Sequence, residues 1–308
     1  MVVRENLARD ALRLIVWYPL RWLVEAISIR YGFTLFRIMG DIHYYIARRK
    51  RNVIAKNIRS AFGDRVDGKK ILDITRKYFR NHYVNQLQIF LFPRFDRNNI
   101  ERFHTFEGLD NLEDALKEEK GCILVHAHFG PAQLPLCALG LFGYPVMQLG
   151  LPTNEGLSYI GRKVAFRLRV KYESKIPARI ISADSFLRPV FDWLKNNKVV
   201  MITGDGAGRG KFIGKFVPVQ FFGKPTLFPV GAATFSQKTD SPLLPMFTID
   251  LNSRYKTIIH KPITMQHLHK GDTTSVITAE FVKILEHYCS VFPYLWHFWD
   301  EWEDRLAE

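Results

Sequence analysis

The sequence predicts an α/β fold: a mixed central sheet flanked by helices, preceded by an N-terminal helical region. From Phe103 onward, short apolar runs bounded by Gly, Pro, Asn or Asp alternate with helical patterns, the rhythm of a layered α/β domain. Before Phe103, apolar residues recur at helical spacing. A length of 308 residues suffices for one large core or a core plus an accessory region. The polar connector from Arg94 to Arg102 is the expected boundary, giving a helical region 1–102 and an α/β region 103–308.

In chain order, residues 7–40 are rich in Leu, Ile, Trp, Tyr and Phe with Arg at intervals. Pro19 is expected to break or kink any helix here, giving a pair of short helices that would lie in a bilayer interface with Trp17, Tyr18 and Trp22 at headgroup level. The basic run Arg48-Arg49-Lys50-Arg51 follows, and such clusters attract anionic lipid by roughly 1 kcal/mol per charge. A transmembrane helix needs roughly 20 mostly apolar residues, and the uncharged runs here are shorter. No small-residue cleavage site of a secretory signal is evident. Helices are expected over 52–62 and 69–92, the second ended by Pro93. Then come a strand at 105–106, a helix over 112–120, a buried strand at 122–125, a helix from Pro131 to about Leu141 and a strand at 145–149. Asn154 caps a helix carrying Arg162, Lys163, Arg167 and Arg169. A strand at 179–181, a helix capped by Asp184, a strand at 198–203 and an extended run at 216–222 follow. A helix over 226–239, strands at 243–249 and 255–260 and a long helix over 274–290 complete the pattern.

The formal net charge of +14, with 24 Phe, 12 Tyr and 6 Trp, points to an anionic partner. No nucleic-acid-binding module is recognisable, so an anionic membrane surface is the expected one. Cys122 and Cys137 lie in apolar runs and Cys289 is distant. The first two read as buried reduced thiols, and the odd, widely spaced set points to a reducing, cytosol-facing compartment.

The chemistry gathers at Gly121-Cys-Ile-Leu-Val-His-Ala-His-Phe-Gly-Pro-Ala-Gln133. An apolar strand delivers His126 and His128 at its carboxyl end, where reactive groups of open α/β sheets collect. His128 is a general-base candidate. Gly130 and the helix start behind it would face a developing oxyanion. His126 and His128 also have the spacing of a metal-binding pair that Asp205, at another strand end, would complete. A metal-dependent hydrolase is therefore the rival reading. The loop Gly204-Asp-Gly-Ala-Gly-Arg-Gly210 fits neither phosphate-loop signature, yet Arg209, Lys211 and Lys215 make it an anion contact. Trp296, Trp299 and Trp302 read as packing of a final helix turn.

The run His128-Phe-Gly-Pro-Ala-Gln133 resembles the H-F-G-N-W-E signature of the bacterial lipid A biosynthesis lauroyl/myristoyl acyltransferases, members of the lysophospholipid acyltransferase superfamily with its H-x4-D/E motif. Arg51 to Phe62, the block Phe216-Val-Pro with Phe221-Phe-Gly-Lys-Pro-Thr226, Ile277 to Phe281, and Pro293, Trp296 and Trp299 are similar to further blocks of that family, and Asp205 matches its acidic residue after a strand. The resemblance implies acyl transfer from an acyl carrier protein or coenzyme A thioester to a lipid or glycolipid, with His128 as base and no cofactor. It also implies a place on the cytoplasmic face of the bacterial inner membrane, peripheral or monotopic. The motif's acid is Gln133 here, which orients a ring without supplying charge. Either Gln133 or Asp205 then supports His128, or the chain is an inactive lipid-binding relative.

Overall fold

A computed structural model describes residues 5–150, 154, 156–183, 187–208, 212–251, 254–263 and 273–307. The N-terminal region comprises α1 (Leu7–Ile15), α2 (Arg21–Ala26), α3 (Ile29–Ile46), α4 (Arg48–Phe62) and α5 (Gly68–Leu87). Side chains cap two of these helices: Asn6 accepts from the Arg9 amide at 2.9 Å and Asp67 from the Lys70 amide at 2.7 Å. Pro19 interrupts the regular α-helix without ending the helical path. It sits in a π-helical turn, Val16–Leu20, that joins α1 to α2, because the wider turn accommodates a residue without an amide donor. Trp17 is not an outward anchor. It is buried edge-on against Phe90 and Tyr172, while Trp22 is exposed. The expected helix over 69–92 is α5 followed by two short 3-10 turns.

Seven strands form the main sheet: β1 (His104–Glu107), β2 (Cys122–His126), β3 (Val146–Gly150), β4 (Arg179–Ser182), β5 (Val199–Thr203), β8 (Leu243–Asp250) and β9 (Tyr255–Ile259), while β6 (Phe216–Phe221) and β7 (Lys224–Pro229) make a separate hairpin. Their order is β1-β9-β8-β2-β5-β3-β4, and only the β8–β9 pair is antiparallel. The mixed sheet is thus as expected. The helices among them are α6 (Leu109–Lys117), α7 (Leu134–Leu141), α8 (Arg167–Glu173), α9 (Arg188–Lys195), α10 (Gly231–Thr239) and α11 (Thr273–Val291). Residues 226–229, read as helix from sequence, belong to β7: hairpin pairing of Thr226 with Val219 outweighs local propensity, and α10 begins after Pro229. The Asp184 cap lies outside the described residues.

Strand β2 is buried throughout, as a central parallel strand covered on both faces must be. Ile123 and Val125 on one face share a core with Ile54, Ile58 and Tyr78 of the helical region and the C-terminal tryptophans. Cys122 and Leu124 on the other share a core with Phe33, Phe36 and Leu87 and with Leu134 and Leu136 of α7. Both cores therefore draw on residues from either side of the 94–102 connector. Close packing of α3 on α5 depends on Gly40, where a Cβ would lie 2.5 Å from the Arg80 Cα. All three cysteines are buried free thiols, and burial pushes Cys137 up to about 12.

Candidate active site

Strands β2 and β5 are adjacent and parallel, with His126 in register with Thr203. The residues two places beyond these ends, His128 and Asp205, therefore emerge side by side. His128 Nδ1 lies 2.8 Å from Asp205 Oδ1, and the His128 amide donates to Asp205 Oδ2 at 2.8 Å. The Asp205 side chain is fully buried while that of His128 is 31% exposed. The carboxylate is pressed against the sheet end and the ring stands between it and the surface. An ionised Asp205 accepts only, so Nδ1 carries the proton and Nε2 presents its lone pair.

The C-terminal segment clasps this pair. Trp296 Nε1 donates to Asp205 Oδ2 at 3.1 Å, and Arg305 donates to the Asp205 carbonyl at 2.6 Å and to that of Ala207 at 3.4 Å. The Phe298 ring lies 4.6 Å from the His128 ring, and the Arg305 guanidinium covers Phe298 at 3.6 Å. The His128 carbonyl accepts from the His297 amide at 2.9 Å, and His297 Nε2 donates to the Gly130 carbonyl at 2.9 Å. From the helical region, Asn81 Nδ2 donates to the Leu295 carbonyl at 3.1 Å, and Asn85 Oδ1 accepts from the Ala132 amide at 3.2 Å.

The other candidates are placed differently. Gly130 has φ of +61°, and a Cβ there would lie 2.5 Å from the Thr248 carbonyl oxygen. Its amide donates to the Leu295 carbonyl at 2.8 Å, so this N–H is engaged within the protein and does not face a substrate oxyanion. Gln133 caps the start of α7 and turns from the imidazole: its Nε2 lies 3.4 Å from Glu173 Oε1, and Glu173 also accepts from Arg169 at 2.8 Å. His126 is buried beside the Ala127 carbonyl. Among the described residues no group of three or more His, Cys, Asp or Glu is arranged to hold a metal ion. Arg209 and Lys211 lie outside the described residues.

Burial alone would raise the Asp205 carboxyl. The His128 ring and amide and the Arg305 charge outweigh it and hold the group below the ordinary carboxylate value. Burial lowers His126 and His297 to about 4, so both rings are neutral near neutrality. In the unfolded chain they take up protons near pH 6.5. Between pH 6.5 and 4 the unfolded state binds more protons, so stability falls with falling pH by about 3 kcal/mol per ring. The contribution of Asp205 is lost at still lower pH, as its folded value is crossed. Thermal melts between pH 7 and 4.5 should show a falling Tm. A flat profile would contradict neutral burial of these rings.

The sequence model of the bacterial lipid A biosynthesis acyltransferases matches residues 8–300. The chain belongs to this family. The chain is thus a lipid acyltransferase. No curated protein matches it. Among solved structures it is similar to the 1-acyl-sn-glycerophosphate acyltransferase PlsC of Thermotoga maritima, with 14% identity, a TM-score of 0.37 and coverage of 84% of this chain and 96% of that one.

Sequence reading of this acyltransferase did not single out Asn81, Asn85, Phe298 or Arg305, because local pattern carries no signal of contact across the fold. Arg305 in particular stands among Asp300, Glu301, Glu303 and Asp304, yet it is buried. The tryptophans do pack, as expected, but not as one helix turn: Trp299 lies in a 3-10 turn, Trp296 bridges Phe129, and Trp296 also serves the Asp205 carboxylate. Restoring the family's acid with Gln133→Glu has a predictable outcome here. The new carboxylate faces Glu173 and not His128, so thermal stability should drop by about 1 kcal/mol while the pH–rate profile stays put. A rise in the kinetic pKa would show that residue 133 reaches the imidazole.

Proposed function

We propose that this acyltransferase moves a fatty acyl chain from a thioester, on acyl carrier protein or coenzyme A, to a hydroxyl of a bilayer-embedded lipid or glycolipid. The observation that carries the reading is the pairing of a partly exposed His128 with a wholly buried Asp205. His128 Nε2 takes the proton of the acceptor hydroxyl as its oxygen attacks the thioester carbonyl. Asp205 holds the ring in the Nδ1–H tautomer and stabilises the imidazolium. Collapse of the tetrahedral intermediate expels the thiolate, which recovers the proton from His128. Arg209 and Lys211 are proposed to meet phosphate on the acceptor or the acidic carrier. No step needs a metal or a cofactor.

A place at the cytoplasmic face of the inner membrane is part of the proposal. It is supported by α1 and α2, whose outward row is apolar: Leu7, Leu12, Ile15, Trp22 and Leu23 are exposed. The polar side of α1 faces inward instead, where Arg13 binds Glu5, Asp10 at 2.8 Å and Ser158 at 3.0 Å. Helix α3 exposes Tyr31, Ile38, Ile42 and Tyr45, and Arg48 and Arg49 follow it on the surface. Such rows suit insertion into an interface, and among the described residues no helix is long and apolar enough to cross a membrane. The test is transfer of a labelled acyl chain by purified protein, with carrier-linked and coenzyme A thioesters offered against lipid extracts from a strain lacking the gene. Bound lipid without transfer from any pair would favour the inactive lipid-binding relative.

A further inference from the structure

The helical stretch 159–173, a π-helical segment (Gly161–Phe166) running into α8, carries Arg162, Lys163, Arg167, Arg169 and Lys171 against a single acid, Glu173. Glu173 is buried and already bound by Arg169 and Gln133. Lys163, Arg167 and Lys171, four residues apart along one side, are exposed and have no ion-pair partner among the described residues. The same side exposes Tyr159, one turn before Lys163, by 69% and Val170, between Arg167 and Lys171, by 43%. The buried side is Gly161 and Tyr172, with Leu168 half-buried.

This surface is continuous with α1. The Ser158 hydroxyl, one residue before the stretch, donates to Asp10 at 2.5 Å and accepts from Arg13 at 3.0 Å, so the cationic face adjoins the inverted helix with its outward leucines. At its other end the stretch reaches Gln133, five residues after His128.

We propose that residues 159–173 form a second bilayer contact, in which Lys163, Arg167 and Lys171 meet the phosphates of anionic lipid headgroups while Tyr159 and Val170 enter the interface. The contact rests on the membrane reading given above. An acidic protein would match the charge. It would not account for exposed Tyr159 and Val170 on the same side as the cations, or for continuity with an apolar row on α1. A bilayer interface accounts for both.

The test is flotation of the full-length protein with vesicles of phosphatidylcholine alone or mixed with phosphatidylglycerol, comparing wild type, Lys163→Gln/Arg167→Gln/Lys171→Gln and Leu12→Glu/Ile15→Glu. The three cations contribute about fivefold each, so the triple variant should lose roughly a hundredfold in affinity for the anionic vesicles and little for the neutral ones. Because the side chains are exposed, its melting curve should match wild type, and the charge-conserving variant Lys163→Arg/Lys171→Arg should keep wild-type binding. Unchanged anionic binding by the triple variant, with the Leu12/Ile15 variant impaired, would overturn this contact and leave the membrane reading standing. Wild type that ignores both vesicle types would overturn both. A triple variant with normal vesicle binding but a raised KM for a carrier-linked donor would assign the face to an acidic protein instead.

Discussion

His128→Ala will lower acyl transfer by roughly 10²–10⁴-fold, the usual contribution of a positioned general base. The side chain is partly exposed and its ring touches Phe298, so its removal leaves the core intact and the loss should fall on kcat. His126→Ala is the informative partner. That ring is buried beside the Ala127 carbonyl, so its truncation should cost stability by about 1–3 kcal/mol and leave the chemistry of the folded fraction nearly unchanged. A hydrolytic metal centre built on both histidines would make both changes severe and release metal in both. Full transfer by His128→Ala, with an identified donor and acceptor, would remove the catalytic assignment.

Asp205→Asn should be comparably damaging, near 10⁴-fold by analogy with the serine-protease aspartate whose amide replacement fixes the wrong tautomer. Three N–H groups converge on this carboxylate: His128 Nδ1, the His128 amide and Trp296 Nε1. An ionised carboxylate accepts all three, whereas an amide has one accepting oxygen. If the amide nitrogen faces the ring, Nδ1 must accept, Nε2 carries the proton, and no base remains for the acceptor hydroxyl. If it faces the other two donors, like groups collide in a buried site and the fold loses stability. Rate and melting temperature measured together separate these outcomes. An Asp205→Asn enzyme with wild-type kcat and Tm would show that the carboxylate neither orients nor stabilises the imidazole.

Much of the architecture was legible in the chain. The run Cys122–Val125 announced a buried strand and Phe129-Gly130 a turn, because apolar period and glycine act locally. The alternation after Phe103 pointed to the mixed sheet. The hairpin at 216–229 was half seen: Thr226 and Leu227 suit a helix by pattern, and only their cross-strand partners make them β7. Pro19 signalled interruption, but a π turn supported by Trp17 packing on Phe90 keeps the chain helical.

By itself, then, the sequence determined the strand, the turn, the histidine at its end and the family to which those blocks belong, since each depends on neighbours a few residues away. Which group supports His128 was a matter for the tertiary structure. Gln133 is five residues from His128, yet the turn and the start of α7 send it to Glu173. Asp205 is 77 residues away, yet the parallel register of β2 and β5 sets it 2.8 Å from Nδ1. The burial of Arg305 behind it depends on a contact 100 residues long. Strand order and register fix such distances, and no local pattern encodes them.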